Sequence, residues 1–447
     1  MSDHKEKLTM SEYFDIGLAR HALLMDASNL DWWEFPLFPS IRREIHRTLE
    51  DPNEDMDWGY SYPGGKSCLR ELIAVHESFI EREEIKPEEV IVGGNGTTGT
   101  LNFIAQVISR EYKFAQDIEF IYPVPAYAGL MKSMTFYGIV PKVVLMNKDN
   151  GYKMTLKDVE AAYTDKTVAL LITNPANPAC LFIDEDELAK IMEFCIKKNI
   201  YIIYDAIFEE SPMYNNKRVE VFMLTHDYPK LIKIKGFSKD IPQLSDLRCG
   251  WTICKDPKFI DSLLELGEAV NYSNSTFLEA LGIVEMDMRV KVDMGDTSPE
   301  TLEYIREKNA YHDKIFSIFH DAYDYLMSQT DVVEDVVYPD AGNIMYITFK
   351  AEVCNKYGVY TSHEMFVHIL EEENILVTPG HVFGLPLEDL GFRVTISRGH
   401  DQFMSGLKRI VELFRRDISS QILDTVIISF FPFFEKGFKQ FLKSIWT

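Results

Sequence analysis

The chain has 447 residues, with 46 Lys and Arg against 70 Asp and Glu, for a formal net charge of -24. With 46% hydrophobic and 26% charged residues it is globular rather than disordered. Its length exceeds one comfortable core, so two domains are expected, and the acidic balance excludes the basic footprint of a nucleic-acid binder.

No run of about eighteen apolar residues occurs, so no membrane-spanning helix is expected. The six cysteines, Cys68, Cys180, Cys195, Cys249, Cys254 and Cys354, form no Cys-x-x-Cys pair and read as reduced thiols of a cytoplasmic protein. The charged stretch Met1 to Lys7 does not read as a secretory signal. Eleven histidines show no His-Glu-x-x-His spacing, which disfavours a metal site.

In chain order, residues 11–25 read as an N-terminal arm whose backbone makes a close approach, or an ordinary turn, at Gly17. Asp57 to Gly65 is a turn-rich loop, followed by a helix over 66–82 with Leu69, Leu72, Ile73, Val75 and Phe79 at helical spacing. Val90-Ile91-Val92 is a short strand entering Gly93-Gly94-Asn95-Gly96-Thr97-Thr98-Gly99, with a helix after it. Strand, glycine-rich turn and helix N-terminus form an anion-binding device, because free backbone N–H groups face the ligand. It is neither a P-loop nor the dinucleotide fingerprint.

Strands are expected over 118–122, 168–173 and 200–204, with a helix over 185–198 that carries Leu188, Ile191, Met192 and Cys195 on one face. These near-continuous apolar runs predict a mostly parallel sheet covered by helices on both faces. Ligands of such sheets sit beyond the carboxyl ends of strands, and Asn177, Asp205 and Lys239 all fall there. Lys239 follows the strand run Ile232 to Lys235 and precedes Arg248 by nine residues. A lysine so placed is either a solvated loop residue or one that loses its proton and condenses with an aldehyde.

From about residue 293 the texture changes. A long helix is expected over 299–327, strands over 343–349, 375–378 and 392–397, and helices over 362–372 and 403–416. Arg393 inside a strand faces either solvent or a carboxylate. The tail from Val426 to Phe434 is very apolar, and Pro432 breaks any helix there. Docking on the protein body is favoured for it over an oligomer interface or a membrane surface.

The ordered series over about residues 50–416 resembles the fold-type I pyridoxal-phosphate enzymes, specifically the class I/II aminotransferase family and the related aminocyclopropane-carboxylate synthases. The resemblance implies an α/β fold, with a mostly parallel seven-stranded sheet between helices in a large domain and a smaller α+β domain. It implies a division into residues 52–295 for the large domain, 1–51 with 296–420 for the small one, and 421–447 as the tail. It implies pyridoxal 5'-phosphate as cofactor, an amino acid and a 2-oxo acid as substrates, and a homodimer with shared active sites.

Residue by residue, the resemblance implies that Lys239 forms the Schiff base and moves the Cα proton, while Asp205 pairs with the pyridine nitrogen. Asn177 would hydrogen-bond the phenolic oxygen and Tyr127 stack on the ring. Gly96, Thr97, Thr98, Ser238 and Arg248 would hold the phosphate, with Tyr60 reaching the neighbouring subunit's phosphate. Arg393 would clamp the substrate carboxylate, and Gly17 and Asn177 would also lie at the substrate. The chain departs from the pattern at Cys180, Phe208 and Gly236, which stand where relatives carry glycine, tyrosine and serine. Arg20 stands where the synthases carry glutamate, which argues against their sulfonium substrate and suits a second acidic or carbonyl group. The expected activity is an aminotransferase; a lyase, synthase or oxidase acting after Cα deprotonation, and a non-catalytic binding protein, are the alternatives.

Overall fold

A computed structural model describes residues 8–26, 30–50, 59–214 and 218–416. In chain order its strands are β1 (Leu23–Leu24), β2 (Val90–Gly94), β3 (Glu119–Val124), β4 (Val140–Leu145), β5 (Thr167–Thr173), β6 (Tyr201–Asp205), β7 (Leu231–Gly236) and β8 (Cys249–Cys254). Then come β9 (Val333–Val336), β10 (Ile344–Phe349), β11 (Ile375–Leu376), β12 (Thr378–Pro379) and β13 (Gly391–Thr395).

Seven of these form one sheet in the order β2-β8-β7-β6-β5-β3-β4. Its pairings are parallel from β7 through β4, and β8 alone runs antiparallel to both neighbours. The α/β architecture with a mostly parallel seven-stranded sheet is therefore as the resemblance implies. β6, β7 and β8 are buried along their whole length, as central strands between two helical layers must be. The helix Glu185–Lys198 has the expected bounds and buries Leu188, Ile191, Met192 and Cys195, each worth about 1.5–3 kcal/mol for the large aliphatic side chains.

A four-stranded antiparallel sheet, β12-β13-β10-β9, lies C-terminal to the long helix Pro299–Ser328. The expected strand 375–378 is two short strands with different partners: β11 pairs with β1 and β12 with β13. The N-terminal arm is a helix, Met10–Ala19, that runs through Gly17. No helix of the described residues is long and apolar enough to cross a membrane. The apolar tail, 421–447, lies outside the described residues.

The Ile-Lys-Ile-Lys alternation of β7 hides an unexpected feature: Lys233 and Lys235 are fully buried. Lys233 Nζ lies 2.6 Å from Glu81, 2.9 Å from Glu209 and 3.1 Å from Glu77, and Lys235 Nζ lies 2.9 Å from Glu210. Glu77 and Glu81 come from the helix Ser67–Glu81, one turn apart on the face against the sheet. Buried charges persist only when paired this closely.

Candidate active site

The carboxyl ends of β5, β6 and β7 open into a cleft of 560 Å³. Lining it are Thr97, Thr98, Tyr127, Asn177, Asp205, Ser238, Lys239, Arg248 and Arg393, all of them anticipated from sequence.

Lys239 sits half-buried in the turn that closes β7. Enclosure in the cleft, helped by the positive charge of Arg393 and opposed by Asp26, lowers its amine to about 8. No carboxylate forms an ion pair with it among the described residues, and its Nζ lies 5.9 Å from the centre of the Phe208 ring. Asp205 ends β6 and is buried. Burial raises its carboxyl to about 7, against the pull of the Ile207 N–H, which donates to Oδ1 at 3.1 Å. A buried carboxylate with so little compensation suits a cationic partner.

Asn177 accepts a 3.0 Å hydrogen bond from Arg393 Nη1 on its carboxamide oxygen, so its NH2 remains the group with protons to donate. Cys180, three residues on, adopts φ +51, the left-handed conformation that glycine takes most readily. Cysteine thus stands in a backbone conformation that suits the glycine of the family pattern. Gly236 has a plain steric reason: a Cβ there would stand 2.8 Å from the Cys249 carbonyl oxygen and 3.2 Å from Gly250 Cα. A serine would collide with β8.

At the other end of the cleft the helix Gly96–Glu111 begins directly after Asn95, whose φ is +71. Thr97 and Thr98 stand in its first turn, where backbone N–H groups have no helical partner. The Arg248 guanidinium donates to the Asn95 carbonyl at 2.7 Å and to the Ser245 carbonyl at 3.1 Å. Gly96 donates its N–H to the Arg248 carbonyl at 2.7 Å, and a Cβ on Gly96 would meet Arg248 Nη2 at 2.7 Å. The turn is therefore shaped around the arginine and brings together a cation, hydroxyls and a helix N-terminus, a set of groups chemically able to hold an anion.

Gly96 itself, Gly17, Tyr60 and Arg20 do not line the cleft. Gly17 is buried where its helix crosses Leu376, and that leucine does line it. Tyr60 is 83% exposed, packs edge-on against Tyr272 and borders a separate 660 Å³ groove. Arg20 caps the first helix and faces solvent, so it gives no support to a second acidic group on the substrate.

Sequence reasoning missed Asp26, Thr395 and Ser245. Asp26 is 367 residues from Arg393, yet their side chains form a two-pronged pair. No local pattern connects them.

The sequence model of the family described as "Aminotransferase class I and II" matches residues 34–410. A "Probable aspartate/prephenate aminotransferase" of Aquifex aeolicus is 27% identical over 356 residues, covering 78% of this chain and 82% of that protein. An "Aspartate aminotransferase" of Sulfurisphaera tokodaii is 23% identical over 383 residues, covering 85% and 87%. Among solved structures, an aspartate aminotransferase from Thermus thermophilus with maleate superposes with a TM-score of 0.73 at 17% identity, covering 91% of this chain and 97% of that one. An aromatic aminotransferase from Pyrococcus horikoshii gives the same TM-score and identity over 91% and 98%. At such identities the structural likeness carries the fold.

Proposed function

The chain belongs to the class I and II aminotransferases, and on that premise we propose how its cleft divides the work of transamination. The enzyme moves an amino group between an amino acid and a 2-oxo acid.

The residues fit pyridoxal 5'-phosphate by their chemistry. Arg248, Thr97, Thr98, Ser238 and the helix N-terminus beside Gly96 suit its phosphate. Asp205 suits the protonated ring nitrogen, the NH2 of Asn177 suits the phenolic oxygen, and Tyr127 suits the ring face. The cofactor supplies an aldehyde and an electron-withdrawing ring that acidifies the Cα–H of a bound amino acid.

Lys239 is the base: an amine lowered to about 8 is partly neutral near neutral pH, and a neutral Nζ can take the Cα proton and return it. Asp205, ionised once a cation faces it, keeps positive charge at the ring nitrogen. Arg393 holds the carboxylate and fixes which Cα bond stands perpendicular to the ring. Tyr60, exposed and outside its own cleft, supports the reading of a homodimer in which it serves the partner's cleft. Apart from Lys239, the described residues lining the cleft include only two arginines or lysines, Arg248 and Arg393.

The observation that carries the proposal is the convergence of Lys239, Asp205, Asn177 and Arg393 on one cleft with an anion-binding turn at its end. Exchange of the Cα proton of bound amino acids in deuterated water tests it. Asp205→Ala should fold and cripple that exchange; undiminished exchange would remove Asp205 from the mechanism.

A further inference from the structure

Arg393 reaches the cleft already engaged. Its Nε donates to Asp26 Oδ2 at 3.0 Å and its Nη2 to Asp26 Oδ1 at 2.8 Å, the side-on two-pronged geometry in which an arginine holds a carboxylate ligand. Thr395 Oγ1 also donates to Asp26 Oδ1, at 2.6 Å. The contact is built in. Asp26 is 4% exposed, the Thr395 N–H donates to the Met25 carbonyl at 2.7 Å, and the Met25 N–H donates to the Leu376 carbonyl at 3.1 Å. With Nη1 on Asn177, three of the guanidinium's five N–H groups are spoken for.

We propose that Asp26 is a specificity-determining residue, an internal stand-in for a ligand carboxylate that orients Arg393 and weakens the cleft's affinity for carboxylates in general. This rests on reading Arg393 as the carboxylate clamp. An incoming acid binds the two remaining N–H groups beside Asp26, and the two carboxylates share one cation. Like charges so close repel, all the more with little water between them. The cleft therefore rejects acids that offer a carboxylate and nothing else, and retains those that also engage the cofactor and the apolar wall of Phe14, Ile241 and Leu376. Lys239 feels both members of the pair, Arg393 lowering its amine and Asp26 raising it.

Calorimetry of the pyridoxal-phosphate-loaded protein with 3-phenylpropanoate and 3-phenylpropanamide tests this. Neither probe has an amino group, so binding is read without turnover. Asp26→Asn keeps the shape and removes the charge. It should tighten the acid about tenfold and leave the amide unchanged. Asp26→Ser, a second route to the same loss of charge, should raise the acid-to-amide preference in the same direction. A preference that stays the same or falls in both variants overturns the proposal, since a merely orienting aspartate would give that result. Arg393→Gln separates the two readings. If it abolishes the preference while the Asp26 variants do not raise it, the stand-in role alone fails; if it leaves the preference intact, the clamp itself fails.

Discussion

Asp240, the residue after Lys239, accepts a 2.9 Å hydrogen bond from Arg289 Nη1, and the same nitrogen donates to Glu210 at 2.7 Å. Glu210 follows Phe208 on the segment that leaves Asp205, so one buried arginine ties the Lys239 turn to the Asp205 segment. His76 and Lys235 complete the set around Glu210, at 3.0 and 2.9 Å. The two groups that bracket the proposed proton transfer are thus held by charges behind the sheet.

Arg289→Ala takes from Asp240 and Glu285 the cation they pair with, and from Glu210 one of three basic partners, and breaking a buried pair costs about 3–5 kcal/mol. Urea unfolding should report a loss of that size, with the cofactor's visible spectrum changed in the protein that remains folded. A loss under about 1 kcal/mol would mean that the network is dispensable.

Acid should attack the same network. Despite burial, Lys233 and Lys235 pull the Glu77 carboxyl down to about 2, below its usual 4.5. A depressed carboxyl contributes stability that is complete above 4.5 and is lost as pH falls toward 2. Glu77→Gln should therefore flatten the fall in unfolding free energy across that window; an unchanged slope would contradict the pairing.

Lys239 should show its lowered amine directly. The neutral form is the nucleophile, so the rate at which cofactor-free protein captures pyridoxal phosphate should rise with pH through a midpoint near 8. A midpoint near 10.5, where an ordinary lysine titrates, would contradict the effect of enclosure.

Gly96 offers a test of the phosphate end, because φ there is +64 and a Cβ would press on Arg248. Gly96→Ala should raise the dissociation constant of pyridoxal phosphate about tenfold or more. Equal cofactor affinity would take the glycine turn out of phosphate binding.

Much of this arrangement was legible in the chain. The runs of β5 and β6 are apolar enough to be recognised as central strands, and Asn177 and Asp205 reveal themselves by standing at their carboxyl ends, as Lys239 does after the strand run Ile232 to Lys235. Thr97 and Thr98 follow from the glycine-rich turn, whereas Arg248 entered only through the family resemblance. Asp26 could not be read, because its meaning lies in a partner at the far end of the sequence. Lys233 and Lys235 were hidden for a related reason: alternation with isoleucine suggests a solvated face, and only the packed helix with Glu77 and Glu81 makes burial affordable. The strand expected over 375–378 erred because its two halves pair with strands from opposite ends of the chain, which no local pattern records.

Phe208 is the departure closest to the chemistry. It is buried against Cys180 and Ile344 and offers no hydroxyl to the cleft. With one donor fewer to the phenolic oxygen, the visible band of the loaded protein should titrate at higher pH than in Phe208→Tyr. Coincident titrations would mean that the hydroxyl is not missed.

The central claim is transamination through Lys239, and the most direct test is the visible spectrum of the pyridoxal-phosphate-loaded protein before and after a panel of amino acids. The account predicts a yellow band that bleaches with at least one amino acid while an equal amount of 2-oxo acid appears. In Lys239→Ala both the band and the turnover should be lost. Normal turnover in Lys239→Ala, or ammonia released in place of the converted cofactor, would contradict it.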